Sequence, residues 1–186
     1  MAGQWHRHGA RRAASLAGGM SRFAAIDFET ATYGGDSACA LAAVIVEDGR
    51  IVQQLYELIR PPTRTFSFTH IHGLRWSDVQ DAPDFAAVWA TFVPALHEVE
   101  FLAAHNAPFD KGVLNACCHR YGLAVPPQPF VCTVQLARAQ WNIRPTKLPD
   151  VCRHLGIELV HHQADSDAAA CARIVIAAEQ EGWRHR

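Results

Sequence analysis

Five side chains stand out by type and spacing: Asp27, Glu29, Asp110, His162 and Asp167. Asp27 and Glu29 close a short apolar run, Phe23–Phe28. In an extended strand, positions two apart share a face, so the two carboxylates point the same way. Like charges about 4 Å apart repel by roughly 4 kcal/mol at an effective dielectric of about 20. Separate hydrogen bonds at a solvated strand end would relieve part of that. Asp110 and Asp167 fall in the first turns of expected helices, where an acid is favourable against the helix dipole whatever its role. His162 lies in the loop five residues before Asp167, and a lone loop histidine is ordinarily a surface residue. Each position has an ordinary explanation; their conjunction asks for another.

The charge balance narrows the choice. The chain has 186 residues and a formal net charge of −1, but residues 1–22 hold Arg7, Arg11, Arg12 and Arg22 and no acid. That leaves 13 basic against 18 acidic residues from position 23 onward. Such a surface does not hold nucleic acid by broad basic attraction, although cations bound at a site would supply the missing charge. The six cysteines show no CxxC pair and no zinc-like spacing, so they read as small apolar residues in a reduced, cytoplasmic protein. Nothing reaches the length of a membrane span or resembles the apolar core of a signal peptide. Residues 1–20 read as a disordered extension, residues 21–182 as a single domain, and 49% apolar content suffices for a core.

The elements that must position these groups follow from periodicity. Three apolar runs, Phe23–Phe28, Ala38–Val46 and Ile51–Ile59, predict strands, with Asp48-Gly49 as a hairpin turn between the last two. Residues 63–82 read as an irregular connection. Asp84 can cap a helix to about His97, whose last turn Pro94 puts in question. A short strand over Glu100–Ala104 precedes a helix from Pro108 to Tyr121, stopped by Gly122. Phe130–Cys132 is a further strand, followed by helices over Thr133–Trp141, Leu148–His154 and Ser166–Gln180, the last capped by Asp165 or Ser166. Strands first, then strands alternating with helices, make an α/β domain with a mixed sheet.

Three stretches together resemble the DEDDh 3′→5′ exonucleases, the family of the proofreading epsilon subunit of bacterial DNA polymerase III and of related trimming ribonucleases. The first is Ile26-Asp27-Phe28-Glu29-Thr30, and the second is Ala104-His105-Asn106-Ala107-Pro108-Phe109-Asp110. The third is His162-Gln163-Ala164-Asp165-Ser166-Asp167-Ala168. They occur in the family's order, and the resemblance covers about residues 21–178. It implies a ribonuclease H-like fold with a five-stranded mixed sheet flanked by helices. It also implies that Asp27, Glu29, Asp110 and Asp167 hold two Mg²⁺ or Mn²⁺ ions, hard cations that prefer carboxylate oxygen. His162 is then the general base, suited by an ordinary pKa near ~6.5. The expected activity is removal of nucleoside monophosphates from 3′ ends of single-stranded nucleic acid. DNA is favoured, and RNA trimming by the same site is the alternative.

Substrate contacts are less sharply marked. By resemblance, Thr30 and nearby backbone meet the terminal nucleotide and Asn106 positions the backbone or a metal-bound group, though an asparagine before a helix is as often a turn former. Phe66, Phe68, His70 and His72 could stack on a base or cover the sheet under a long loop. Gln54–Leu58 faintly resembles a sliding-clamp-binding peptide, but a strand cannot present it. The chain ends soon after its last helix, which points to a free-standing nuclease without an evident polymerase partner. The rival from another class is a non-catalytic binding module, which a substitution among the five positions would have favoured. None is present.

Overall fold

The computed structural model describes residues 19–185; the extension expected over residues 1–20 therefore lies almost wholly outside the described residues. Its elements run β1 (Phe23–Thr30), β2 (Ala38–Glu47), β3 (Arg50–Leu58), α1 (Thr69–His72), α2 (Trp76–Val79), α3 (Phe85–Leu96) and β4 (Leu102–Ala104). They continue with α4 (Ala107–Tyr121), β5 (Phe130–Cys132), α5 (Thr133–Trp141), α6 (Leu148–Leu155) and α7 (Ala164–Gln180). The five strands form one mixed sheet in the order β3-β2-β1-β4-β5. The first three strands are antiparallel, and β4 and β5 join β1 in parallel. This is the fold class the motifs imply.

The hairpin turn is the two residues Asp48 and Gly49, both left-handed (φ 48° and 72°), the backbone that a twisted two-residue turn requires. Central β1 buries one face against α3 and α4, where Ala24, Ile26 and Phe28 meet Phe85, Trp89, Phe92 and Leu114. Each such large apolar side chain taken out of water contributes about 1.5–3 kcal/mol. Its other face, Phe23 and Ala25, packs on α7 through Ala164, Ala168 and Ala172. Asp27 and Glu29 continue that second face. The small methyl groups spaced four apart let α7 lie close to the sheet, and α5 and α6 cover its far side through Val151, Ala170 and Ile174.

Several boundaries differ from expectation. The connection 63–82 contains two one-turn helices, too short for a periodic pattern to reveal. α3 continues through Pro94 to Leu96, because Leu96 is buried in the core and offsets the one hydrogen bond that proline cannot donate. α7 starts at Ala164 with Gln163 at its cap position and no capping side chain; Asp165 and Ser166 lie inside the first turn instead. The Ser166 hydroxyl accepts from the Val160 N–H at 2.9 Å, bracing the loop ahead of the helix. All six cysteines are free, and no helix among the described residues is long and apolar enough to cross a membrane.

Candidate active site

The centre is built where the parallel ladder stops. β4 pairs with β1 only as far as Ala25↔Ala103. Alternate β1 N–H groups face β4, starting with Ala24, whose N–H donates to Phe101 O. The N–H of Phe28 thus points past the end of β4 with no strand to receive it. Asp110 fills the gap: from the first turn of α4 its Oδ1 accepts that N–H at 3.1 Å. Asp110 is only 1% exposed. Asn106 sets the entry to α4 with a left-handed backbone (φ 69°), its carbonyl accepting from Phe109 N and its side chain capping nothing. That backbone fits the turn-forming role.

Asp27 and Glu29 on β1, Asp110 on α4 and Asp167 on α7 surround one another closely enough to perturb each other's protonation. Burial first, then Asp110, Glu29 and Asp167, push the Asp27 carboxyl well above its usual range. Glu29 is pushed up to about 7 by burial and then by Asp167. Burial lifts Asp110 to about 8 against the hydrogen bonds from Phe28 and its own backbone N–H, with Glu29 adding to the rise. Asp167 is raised by burial and partly relieved by hydrogen bonds from His161 and from the His162 backbone. Four acids made reluctant to ionise by burial, three of them also by neighbouring carboxylates, are unlike surface carboxylates.

The histidine pair is arranged in a way the motif did not indicate. The Asp167 carboxylate accepts from His161 Nδ1 at 3.0 Å and from the His162 main-chain N–H at 3.2 Å. His162 has a left-handed backbone (φ 66°), which swings its ring onto that of His161 at a centroid distance of 3.7 Å. The His162 ring lines a cavity of about 320 Å³ with Glu29, Tyr56 and His72, while His161 lines the larger one with Asp27. Among the described residues, His161, His162 and Asp167 form the one trio of His, Cys, Asp or Glu side chains whose donor atoms all lie within 4.8 Å. The four acids are spread more widely than that. Burial, followed by the neighbouring His161, lowers the pKa of His162 and so favours its proton-accepting form.

Three cavities meet at the acids. A small one of about 210 Å³ is lined by Glu29, Thr30, Phe68, Ile71, His72 and Phe109. Thr30 and His72 are pinned there: His72 Nε2 donates to Thr30 O at 3.2 Å while its Nδ1 accepts from Leu74 N at 3.1 Å, so the ring is neutral and offers only its face. Burial lowers its pKa accordingly. Phe68 packs edge-to-face on Tyr33 at 4.6 Å. Phe66 lies elsewhere, against Ala31, Cys39 and Val79, and His70 is outside these linings. Phe109, 46% exposed, was not singled out although it stands beside Asp110 in the second motif.

The largest cavity, about 650 Å³, opens on Asp27, Asn106, His161 and Asp167 and is walled by Arg138, Arg144, Thr146 and Lys147. His105, also missed, holds that wall: its Nε2 donates to Thr146 O at 3.1 Å and its Nδ1 lies 2.9 Å from the Thr133 hydroxyl. Burial pushes the imidazole down to about 4, so it stays neutral in this bridge.

These shifts have a testable sign. Folded carboxyls with raised pKa hold protons that the unfolded chain has released, so stability must fall as pH rises toward their folded values. Below about 6.5 the depressed histidines 72, 105 and 162 oppose this, because the unfolded chain takes up their protons first. The clean window is therefore pH 6.5 to about 8.5, where Glu29 and Asp110 lose their protons. In chelator, the melting temperature should drop across it, and excess Mn²⁺ should reduce the drop. A flat or rising profile would contradict the crowding.

Comparison with known proteins places the chain. The family model RNase_T, described as exonuclease, matches residues 24–175. The chain is 37% identical over 156 residues to the PolC-type DNA polymerase III of Oceanobacillus iheyensis, covering 80% of this chain and 11% of that protein. It is 31% identical over 163 residues to the 3′-5′ exonuclease DinG of Bacillus subtilis, covering 83% and 17%. It thus spans between a tenth and a fifth of these relatives' length. Among solved structures it is similar to Exonuclease X in complex with 5′ overhanging duplex DNA, with 27% identity, a TM-score of 0.71 and coverage of 87% of this chain and 94% of that one. The nuclease domain of 3′hExo, a DEDDh family member bound to rAMP, shares the fold at 19% identity and a TM-score of 0.76, over 90% and 96% of the two chains. With its three motifs gathered around the end of central β1, the chain belongs to the RNase_T exonuclease family, the DEDDh 3′→5′ exonucleases.

Proposed function

We propose that this chain hydrolyses phosphodiester bonds from the 3′ end of single-stranded DNA, releasing nucleoside monophosphates, with Mg²⁺ or Mn²⁺ held by Asp27, Glu29, Asp110 and Asp167. One observation carries the reading: four acids from three separate elements gather at one centre, where burial raises the pKa of all four and neighbouring carboxylates raise Asp27, Glu29 and Asp110 further. That is a stability cost tolerated where function needs it. The donor set is all carboxylate oxygen, which suits hard divalent cations. When bound, two such ions supply positive charge to the attacking and leaving oxygens of the displacement.

The chain's own residues do the rest. Thr30, Phe68 and Phe109 with the His72 face receive the terminal nucleotide in the small cavity, stacking on its base. Asn106 borders the backbone on the other side of the acids. His162, kept neutral, accepts the proton of the attacking water. Its partner His161 orients the Asp167 carboxylate. DNA is the proposed substrate, a choice supported by Exonuclease X, 27% identical and solved with 5′ overhanging duplex DNA. The cytoplasm is the proposed compartment, in keeping with six free thiols.

The test is purified protein with Mn²⁺ or Mg²⁺ on 5′-labelled single-stranded DNA, RNA of matched sequence, and a closed single-stranded circle. A ladder shortening from the 3′ end, faster on DNA and abolished by chelator, is expected. Faster decay of RNA would make it a trimming ribonuclease. Cutting of the circle would rule out an exonuclease, and inertness on all three would favour the non-catalytic module.

A further inference from the structure

The basic residues of this chain are unevenly placed. Residues 138–154 hold four of the 17 basic residues, Arg138, Arg144, Lys147 and Arg153, against one of the 18 acids, Asp150. Asp150 is engaged by Arg153 at 3.2 Å. Arg138, Arg144 and Lys147 are exposed, and among the described residues none of them lies within ion-pair distance of an acid. All three line the 650 Å³ cavity, which Asp27 and Asp167 line as well.

This wall is built rather than incidental. Arg138 Nε donates to the Thr146 hydroxyl at 2.9 Å, and that hydroxyl donates to Ile143 O at 3.0 Å. His105 holds the Thr146 carbonyl from the other side. The loop between α5 and α6 is thereby fixed to the end of β4, beside the acids. Arg144 also lines the adjoining cavity of about 390 Å³, together with the paired Arg153 and Asp150.

Position relative to the acids gives the wall its substrate. On β1, Glu29 opens to the small aromatic cavity and Asp27 to the basic one. For a strand with its last nucleotide in the first cavity and its scissile phosphate at the acids, the second offers three exposed cations, whereas the third, beside His162, is lined by Glu29 and Asp165 with no lysine or arginine. We propose that Arg138, Arg144 and Lys147 seat the phosphodiester backbone of the strand on the 5′ side of the bond being cut. This rests on the nuclease reading above. It explains how a chain with an acidic balance grips a polyanion: cations track the backbone along one short wall.

The test compares wild type with the double variant R144Q/K147Q on a 12-nucleotide single-stranded DNA and on a 5′-hydroxyl dinucleotide, whose only phosphate is the scissile one. For the 12-mer, kcat/KM should fall about tenfold or more, mostly through KM, since two charge-assisted contacts are lost. The dinucleotide should be cut at the wild-type rate. Fluorescence anisotropy of labelled 12-mer in chelator, where no hydrolysis occurs, should show a salt slope shallower by about 1.4. An equal loss on both substrates, or no loss on either, would overturn the seat. If wild type cuts neither substrate, the nuclease reading fails, and the anisotropy then decides the wall by itself: an unchanged slope overturns it.

Discussion

Asp110→Asn is expected to lower kcat by about 10³-fold or more while leaving the protein folded. The amide is nearly isosteric, and its oxygen can still accept the Phe28 N–H that the carboxylate accepts at 3.1 Å. What disappears is one negative charge from a group of four, two of them buried. If that charge helps hold cations that stabilise the displacement by several kcal/mol, each 1.36 kcal/mol lost is a factor of ten in rate. The same change should leave the melting temperature in chelator at pH 8 equal or higher, since it removes a carboxyl whose ionisation burial opposes. Stability and activity moving in opposite directions is the signature of a site under functional strain. A variant that keeps near-full activity, or that loses activity only by unfolding in circular dichroism, would return Asp110 to the role of a helix-start acid.

The second large effect separates two adjacent imidazoles. His162→Ala should reduce kcat by about 10²–10⁴ as a general base is lost. His161→Ala should cost less, because Asp167 retains the N–H of His162 at 3.2 Å. Either change keeps that main-chain bond, so both variants should fold. The wild-type rate should rise with pH as the imidazole gives up its proton, and its midpoint should lie below that of an unperturbed histidine, given the downward shift of His162. The His162 variant should lack this rise. If the His161 variant is instead the crippled one, the ring that touches Asp167 is the base, and His162 serves to shape the loop.

The sheet and helices could be read from the chain because their signals are local: alternation in β1 and β2, Asp48-Gly49 in the turn, Gly122 after α4. The way groups from different elements face each other could not. That His161 bonds Asp167 depends on a left-handed residue at position 162, which reverses the loop just before α7 begins, and spacing between His162 and Asp167 carries no trace of it. The basic wall was equally hidden. Arg138, Arg144 and Lys147 lie on a helix and a loop without common periodicity, and only the bridge from His105 to Thr146 brings them beside Asp27. Phe66 went the other way, because an aromatic in a long connection has no pattern to say whether it faces the sheet or the solvent.

The alanines of α7 set a dimension. Ala164, Ala168 and Ala172 separate the helix from the sheet by little more than their own methyl groups, and Asp167 rides on the same turn as Ala168. The gap between Asp167 and the β1 acids is therefore gauged by side chains with no chemistry of their own. A branched residue at Ala168 would not fit at native packing density without lifting the helix, and the carboxylate would travel with it. The stripe thus acts as a set of shims, its thickness holding the interval between Asp167 and the β1 acids constant.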